Sequence, residues 1–428
     1  MKCTKIKSML TTLLLAFLPA LVFGGEAKTE SGPEIVVSPK GESSQWDPAA
    51  AFDGKGTYLV VWSDGTGNWG GDADIHGVRL KADGTVVDAK PIIIAKAKDF
   101  QKRPRVAWSG SEWLVVWQDW RSGKSYDIYA ARVSGDGKVL DPEGVAVCTE
   151  KGDQVFPAVA SDGAGGSLVV WADYRAGNYD IWGTALNDGK AGAPAALIAA
   201  AGDQMGSSVA WTGKQYLVAC ANGERSVNER IPGQEGAIMS LMTLRVGADG
   251  KPLDSKPGFH GFGINAYDSA MAAVGERVLL LGRQQSGKIY HPNTVYGIYM
   301  DADGKRVAHD NPGRPMFQVP LSGVCNPPPI TMCSTDTGGA LDVFCPAVAA
   351  SGEWFLALHQ EAGPIVRHQI INAKSGKVVE DGQLTAAGAR EKTPGAAGGA
   401  SGEFLLVYER NDAKEPNQRV CARVVKVK

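Results

Sequence analysis

Apolar and polar positions along this chain fall into repeating blocks rather than along a helical period. Seven times a glycine-containing turn stands just ahead of a compact apolar run: Asp53-Gly54, Ser109-Gly110, Asp162-Gly163, Thr212-Gly213, Val274-Gly275, Ser351-Gly352 and Ser401-Gly402. The clearest runs are Tyr58-Leu-Val-Val-Trp62, Trp113-Leu-Val-Val-Trp117, Leu168-Val-Val-Trp171 and Phe404-Leu-Leu-Val-Tyr408. Continuous β-forming residues bounded by turns predict a strand buried on both faces. The third copy shows the whole unit. Phe156-Pro-Ala-Val-Ala-Ser161 reads as a first strand, Leu168 to Trp171 as a second, Tyr179-Asp-Ile-Trp-Gly-Thr-Ala185 as a third and Ala195-Ala-Leu-Ile198 as a fourth, with turns at Asp162-Gly163 and Asp188-Gly189. Such turns supply the positive φ that a tight hairpin needs.

The second turn recurs at Asp83-Gly84, Asp136-Gly137, Asp188-Gly189, Asp249-Gly250, Asp303-Gly304 and Ser375-Gly376, one copy short of the first. The chain ends at the third strand of the last copy, around Val420 to Val425, so a fourth strand must come from elsewhere. Ile35-Val-Val-Ser-Pro-Lys-Gly leads into Gln45-Trp-Asp-Pro48 much as Val145-Ala-Val-Cys-Thr-Glu-Lys-Gly leads into Gln154-Val-Phe-Pro157. The expected fold is therefore an all-β, seven-bladed β-propeller of four-stranded antiparallel blades, with the last blade completed by the N-terminal strand, because radial closure buries the faces of repeated sheets. The equivalent position in each second strand is read at Trp62, Trp117, Trp171, Cys220, Leu281, Leu358 and Tyr408. The interval from Leu281 to Leu358 far exceeds a blade of about 40 to 50 residues. It must hold an insertion, placed at residues 320–343 between blades five and six.

Three copies carry Trp-x-Asp followed by Asp-Ile: Trp62-Ser-Asp64 with Asp74-Ile75, Trp117-Gln-Asp119 with Asp127-Ile128, and Trp171-Ala-Asp173 with Asp180-Ile181. Arg121 and Arg175 stand two residues after the first aspartate, between two carboxylates at the base of one loop. The spacing predicts a structural clamp made of Asp119, Arg121 and Asp127 in one blade and of Asp173, Arg175 and Asp180 in the next. This pattern resembles repeats of secreted and surface-attached bacterial propeller proteins, most plainly in Trp117-Gln-Asp-Trp-Arg121 with Asp127-Ile-Tyr129. The resemblance covers blades one to three well and the later blades only through their turns. What it implies is fold and export rather than an activity. Asp boxes of the sialidase type are absent, as are GxSxG, HExxH, P-loop and CxxCH motifs.

Lys2, Lys5 and Lys7 precede an apolar stretch from Leu13 to Phe23, and small residues follow at Gly24, Gly25 and Ala27. That layout predicts a cleaved secretory signal over residues 1–25, a flexible segment over 26–33 and a single propeller domain over 34–428, secreted or periplasmic. The net charge of −2 carries no basic stripe, which disfavours a nucleic-acid partner. No membrane span is expected after the signal, and the mature chain is expected to be a monomer. Six cysteines remain after cleavage, and Cys325 and Cys333 inside the insertion are expected to form a disulfide that shapes a rigid lid. No metal site is assigned. Calcium in the loop from Asp64 to Asp74 is the one cofactor its side-chain oxygens suggest.

Two classes of function follow. Trp69, Trp120, Tyr126, Tyr174 and Tyr179 in the repeated loops suit a scaffold that binds a glycan or a protein partner, since flat amphipathic rings on rigid hairpins fit sugar faces and protein anchors. The alternative is a polysaccharide lyase or other glycan-active enzyme on the same face. Proton abstraction beside a uronate needs a base and a cation, and Arg283, Tyr290 and His291 are the candidates.

Overall fold

In a computed structural model the described residues are 28–38, 43–66, 72–223, 240–261, 266–284, 294–308, 330–334, 346–361, 365–383, 390–411 and 417–428. They form seven antiparallel sheets, six of them sequential meanders from an innermost to an outermost strand. Blade one comprises Ser44–Phe52, Thr57–Gly65, Ala73–Lys81 and Ile92–Ala95; blade two comprises Gln101–Trp108, Glu112–Asp119, Asp127–Ser134 and Val145–Cys148. Blade three, Gln154–Ser161, Gly166–Asp173, Asp180–Asn187 and Ala195–Ile198, has the boundaries its turns predict to within two residues or so.

The apolar runs lie where both of their faces meet protein. Leu59, Val61 and Ile75 of blade one pack on Trp113, Val115 and Trp117 of blade two in one buried cluster. A Val-Val-Trp run is thus used on both sides: alternate side chains serve the blade before and the blade after. The ring closes as predicted. The last strand, Arg419–Val427, is followed in its sheet by Ile35–Val36, with Ile35 opposite Ala422 and Val36 opposite Cys421. Val37 joins Tyr58, Val60 and Trp62 of blade one and Leu405, Val407 and Ala422 of blade seven in a shared core.

Three readings of the sequence are corrected. The segment 26–33, expected to be flexible, carries the strand Thr29–Ser31, paired with Val425 to Val427. The last strand is longer than Ile35–Val36 can cover, so its remaining edge takes a second piece of the same segment. The insertion also lies elsewhere than expected. Residues 330–334 are the outermost strand of blade five, with Cys333 opposite Val295, so the long connection separates the third and fourth strands of that blade. Finally, the second-strand alignment slips by one residue in blades five and six. Leu281 pairs with Gly297 as Val61 pairs with Gly77, so Gly282 and His359, not Leu281 and Leu358, occupy the tryptophan column. Periodicity of two makes such a slip a change of face, and it is invisible where the run Leu279-Leu-Leu281 is apolar on both sides.

Candidate functional site

In blades two and three the loop between the second and third strands lies beside the connection that enters the next innermost strand, at one end of the ring. The lock at the base of that loop is built from the tryptophan column. In blade two Trp117 Nε1 donates to Asp119 Oδ2 at 2.8 Å, and Arg121 forks the same carboxylate through Nε at 2.9 Å and Nη2 at 2.7 Å. Arg121 Nη1 reaches the Glu143 carbonyl oxygen at 2.8 Å, and the guanidinium lies 4.0 Å over the Tyr129 ring. Blade three repeats this with Trp171, Asp173 and Arg175, the latter 3.8 Å over Trp182 and donating to Cys148 Sγ of blade two at 3.2 Å. Asp119 and Asp173 are fully buried.

The expected clamp is corrected in one respect. Neither arginine bridges two carboxylates: each folds back onto the aspartate two residues before it. The second aspartate is left beside the first without the arginine's fork. Asp127 stands directly opposite Asp119, and burial together with the Asp119 charge pushes its carboxyl up to about 6. Asp180 accepts from Asn178 Nδ2 at 3.0 Å, and burial raises it as well. Blade one has no arginine at that place; Trp62 Nε1 donates to Asp64 at 3.1 Å, and His76 lies 3.5 Å from the same carboxylate.

Blade seven inverts the arrangement. Tyr408 holds the tryptophan position and Arg410 the aspartate position, and the carboxylate is Glu34 from the closing segment. Tyr408 Oη donates to Glu34 Oε2 at 2.8 Å, Arg410 Nη1 pairs with Oε1, and Arg423 Nε donates to Tyr408 Oη at 3.2 Å. Cys421 faces Tyr408 and so shares the column of His76, Tyr129 and Trp182.

The predicted binding aromatics form two pairs on these locked loops. Trp120 and Tyr126 meet edge to face at 4.8 Å, and Tyr174 and Tyr179 are tilted at 4.9 Å; all four are partly exposed. Their backbones are tied to the next blade: Tyr126 N donates to Asp153 Oδ1 at 3.0 Å and Tyr179 N to Asp203 Oδ1 at 2.9 Å. Trp69, Tyr290, His291 and Cys325 lie outside the described residues, as do the signal segment and residues 67–71 of the loop read as a calcium site. Of Arg283 and Cys333 the backbone alone is described. Arg283 shares the register position of Ser63, Gln118 and Glu409.

That position leads to a feature the sequence reading missed. Each of six innermost strands carries a register shift near its start, and Asp47, Arg103, Phe156 and Thr393, each just before a proline, hold φ between 47° and 56°. A bulky residue with positive φ is strained by about 1 to 3 kcal/mol and persists only when its surroundings hold it. The holding contacts cross between blades: Ser63 Oγ accepts from Arg103 N at 3.2 Å, Gln118 Oε1 from Phe156 N at 3.2 Å, and Glu409 Oε1 from Asp47 N at 2.9 Å. The signal was present as a recurrent X-Pro at the head of five of the first strands, at Pro48, Pro104, Pro157, Pro346 and Pro394, with blades four and five lacking it.

The bulges surround a central channel of ≈ 260 Å³ that runs between the innermost strands. Arg103, Phe156, Gly206 and Thr393 line it, and the Arg103 guanidinium lies 4.5 Å over the Phe156 ring. The face thus offers two aromatic pairs on rigid loops, and Arg103 and Arg105 are among the residues that line the channel. Such a surface can stack planar or ring-shaped groups and hold an acidic substituent.

No family model matches the chain, and no curated protein matches it. Among solved structures it is similar to a protein of unknown function from Dyadobacter fermentans, at 10% identity over 94% of this chain and 99% of that one, with a TM-score of 0.55. It is also similar to the β-propeller domain of the Trilobed protease from Pyrococcus furiosus, at 10% identity over 89% and 95% of the two chains, with a TM-score of 0.47. A puromycin-hydrolyzing peptidase of Mycobacterium tuberculosis matches at 13% identity over 90% of this chain and 55% of its own, with a TM-score of 0.47. At such identities the likeness extends to the fold alone. The class is a seven-bladed propeller.

Proposed function

We propose that the protein is an exported propeller scaffold that binds a glycan on its loop face, without catalysing a reaction on it. The observation that carries this reading is the pair of aromatic couples, Trp120 with Tyr126 and Tyr174 with Tyr179, partly exposed on loops that buried ion pairs keep rigid. Rigid aromatic rings with few rotatable bonds bind at low entropic cost. Export is supported by the N-terminal layout of lysines, apolar stretch and small residues.

The experiment is titration of the purified mature chain against a panel of polysaccharides, with Trp120→Ala and Tyr174→Ala beside it. Binding that falls about tenfold or more in either variant supports the reading; unchanged binding in both, or binding to a protein partner alone, sinks it. The lyase alternative has one observation in its favour, the register of Arg283 level with Ser63, Gln118 and Glu409, which hold the strained residues of the neighbouring blades. Incubation with uronate polymers tests it: absorbance of an unsaturated product would convert the scaffold into an enzyme.

A further inference from the structure

The heads of the innermost strands carry different side chains on the same bulged backbone. The two positions that enter the bulge are Trp46 and Asp47 in blade one, Lys102 and Arg103 in blade two, Val155 and Phe156 in blade three, and Met205 and Gly206 in blade four. Gly206 holds a φ of 60° at no steric cost, whereas Arg103 holds 56° with a Cβ. Side chains kept in spite of such strain cluster at functional sites. Blade two also sets two cations side by side on aromatic rings. Lys102 Nζ lies 4.1 Å over the Phe100 ring and 5.9 Å from that of Trp46, and the Arg103 guanidinium covers Phe156 at 4.5 Å. Neither side chain makes a hydrogen bond or an ion pair among the described residues. Burial pushes the Lys102 ammonium below the usual lysine range; the Asp47 charge opposes this and that of Arg103 adds to it. Two like charges held together in partly buried places favour an anion beside them.

This pair adjoins one of the exposed aromatic couples. Phe100 O accepts from Trp120 N at 2.8 Å, and Tyr126 and Phe156 pack on the same core cluster. We infer that Lys102 and Arg103 form an anion subsite for the acidic group of a glycan whose ring stacks on Trp120 and Tyr126. A guanidinium over a ring face still presents its N–H edge to an oxyanion, and the ammonium adds a point charge. The acidic group is a uronate carboxylate or a sulfate ester, which share negative charge and acceptor oxygens. The sugar rests on the function proposed above, whereas the anion subsite does not.

Lys102→Met and Arg103→Gly give blade two the residues that blade four already has, so both should fold, and Arg103→Gly should melt no earlier than the parent. The purified mature chain and both variants are titrated with polygalacturonate, its methyl ester, dextran sulfate and dextran. The parent should bind an acidic polymer about tenfold or more tighter than its neutral counterpart, and each variant should lose about tenfold for the acidic polymer alone, as expected for one charged partner. A preference within the galacturonate pair assigns a carboxylate, and one within the dextran pair a sulfate. Lys124→Gln removes an exposed charge of the same face and should change affinity by about twofold or less. Acidic and neutral polymers bound equally, variants that bind the acidic polymer like the parent, or a loss in Lys124→Gln as large as in Lys102→Met each overturn the subsite. Neutral polymers bound equally by parent and variants, with no gain from the acid, leave the glycan-binding function standing while the subsite falls. If no polymer binds, inorganic sulfate decides: a melting temperature raised by millimolar sulfate in the parent and not in the variants keeps the anion subsite without the glycan, and equal shifts overturn both.

Discussion

In blades two and three the charge buried under the loop is an aspartate, held by a tryptophan and an arginine of the same blade. In blade seven the corresponding position is Arg410, and its carboxylate arrives from Glu34 near the other end of the sequence. The geometry is conserved in outline while the sign of the strand residue is reversed. The difference teaches what each lock can do. A lock within one blade orders a loop. A lock whose halves lie hundreds of residues apart also joins the chain's two ends, so it forms only when the ring has closed. In blades four to six Cys220, Gly282 and His359 hold the tryptophan column instead.

The comparison can be broken most forcefully at the closure. Deleting residues 28–37 removes two short strands, buried Val37 and Glu34, and exposes the edge of the last blade. It should lower stability by about 5 kcal/mol, counting a few apolar side chains and an orphaned cation. An unchanged urea transition would mean that blade seven does not depend on its borrowed strand.

Next in size is the lock within a blade. Asp173→Ala strips the partner from both Arg175 and Trp171 Nε1 in a buried site and should cost about 3 to 5 kcal/mol. Arg121→Ala and Arg175→Ala should each cost about 1 to 3 kcal/mol and leave ligand affinity untouched, because the lost contact is structural. A variant that melts like the parent yet loses its ligand would move the arginine into the binding site.

The two halves should also answer acid in opposite directions. Burial depresses His359 and His260 from 6.5 to about 4, and the His359 ring nitrogens have no hydrogen-bond partner among the described residues. As pH falls from about 6.5 toward 4 the unfolded chain binds these protons first, so stability is lost in that window, on the order of 3 kcal/mol per histidine. Asp127 works the other way: raised to about 6, it takes its proton in the folded state first and adds stability as pH falls from 6 toward 4. Amide exchange at pH 7 and pH 5 should therefore show blades four and six loosening more than blade two. His359→Leu should abolish its share of the loss; equal loosening of all blades would refute the assignment.

The smallest effect is the sharpest probe of the inverted lock. Glu34→Gln, Arg410→Gln and the double variant should give a coupling energy of about 1 kcal/mol, modest because the pair is partly exposed. Additive losses would mean that Glu34 and Arg410 do not act as one lock.

Much of the architecture was legible in the chain itself. Glycine turns ahead of apolar runs determine the number of blades, and the shortage of one second turn, with the likeness of Ile35 to Pro48 to Val145 to Pro157, determines how the ring closes. These signals are local: a positive φ, a two-sided apolar run and a missing turn each have a cause within a few residues. The Trp-x-Asp-x-Arg spacing likewise points to an ion pair, because residues two apart in a turning loop can meet. What tertiary structure alone decided is which carboxylate the arginine takes, that Arg410 finds Glu34, that His359 rather than Leu358 holds the tryptophan column, and that Arg105 enters the channel. Each depends on register between strands or on neighbours far along the chain, and a step of one residue turns a side chain from one blade's interface to the other's.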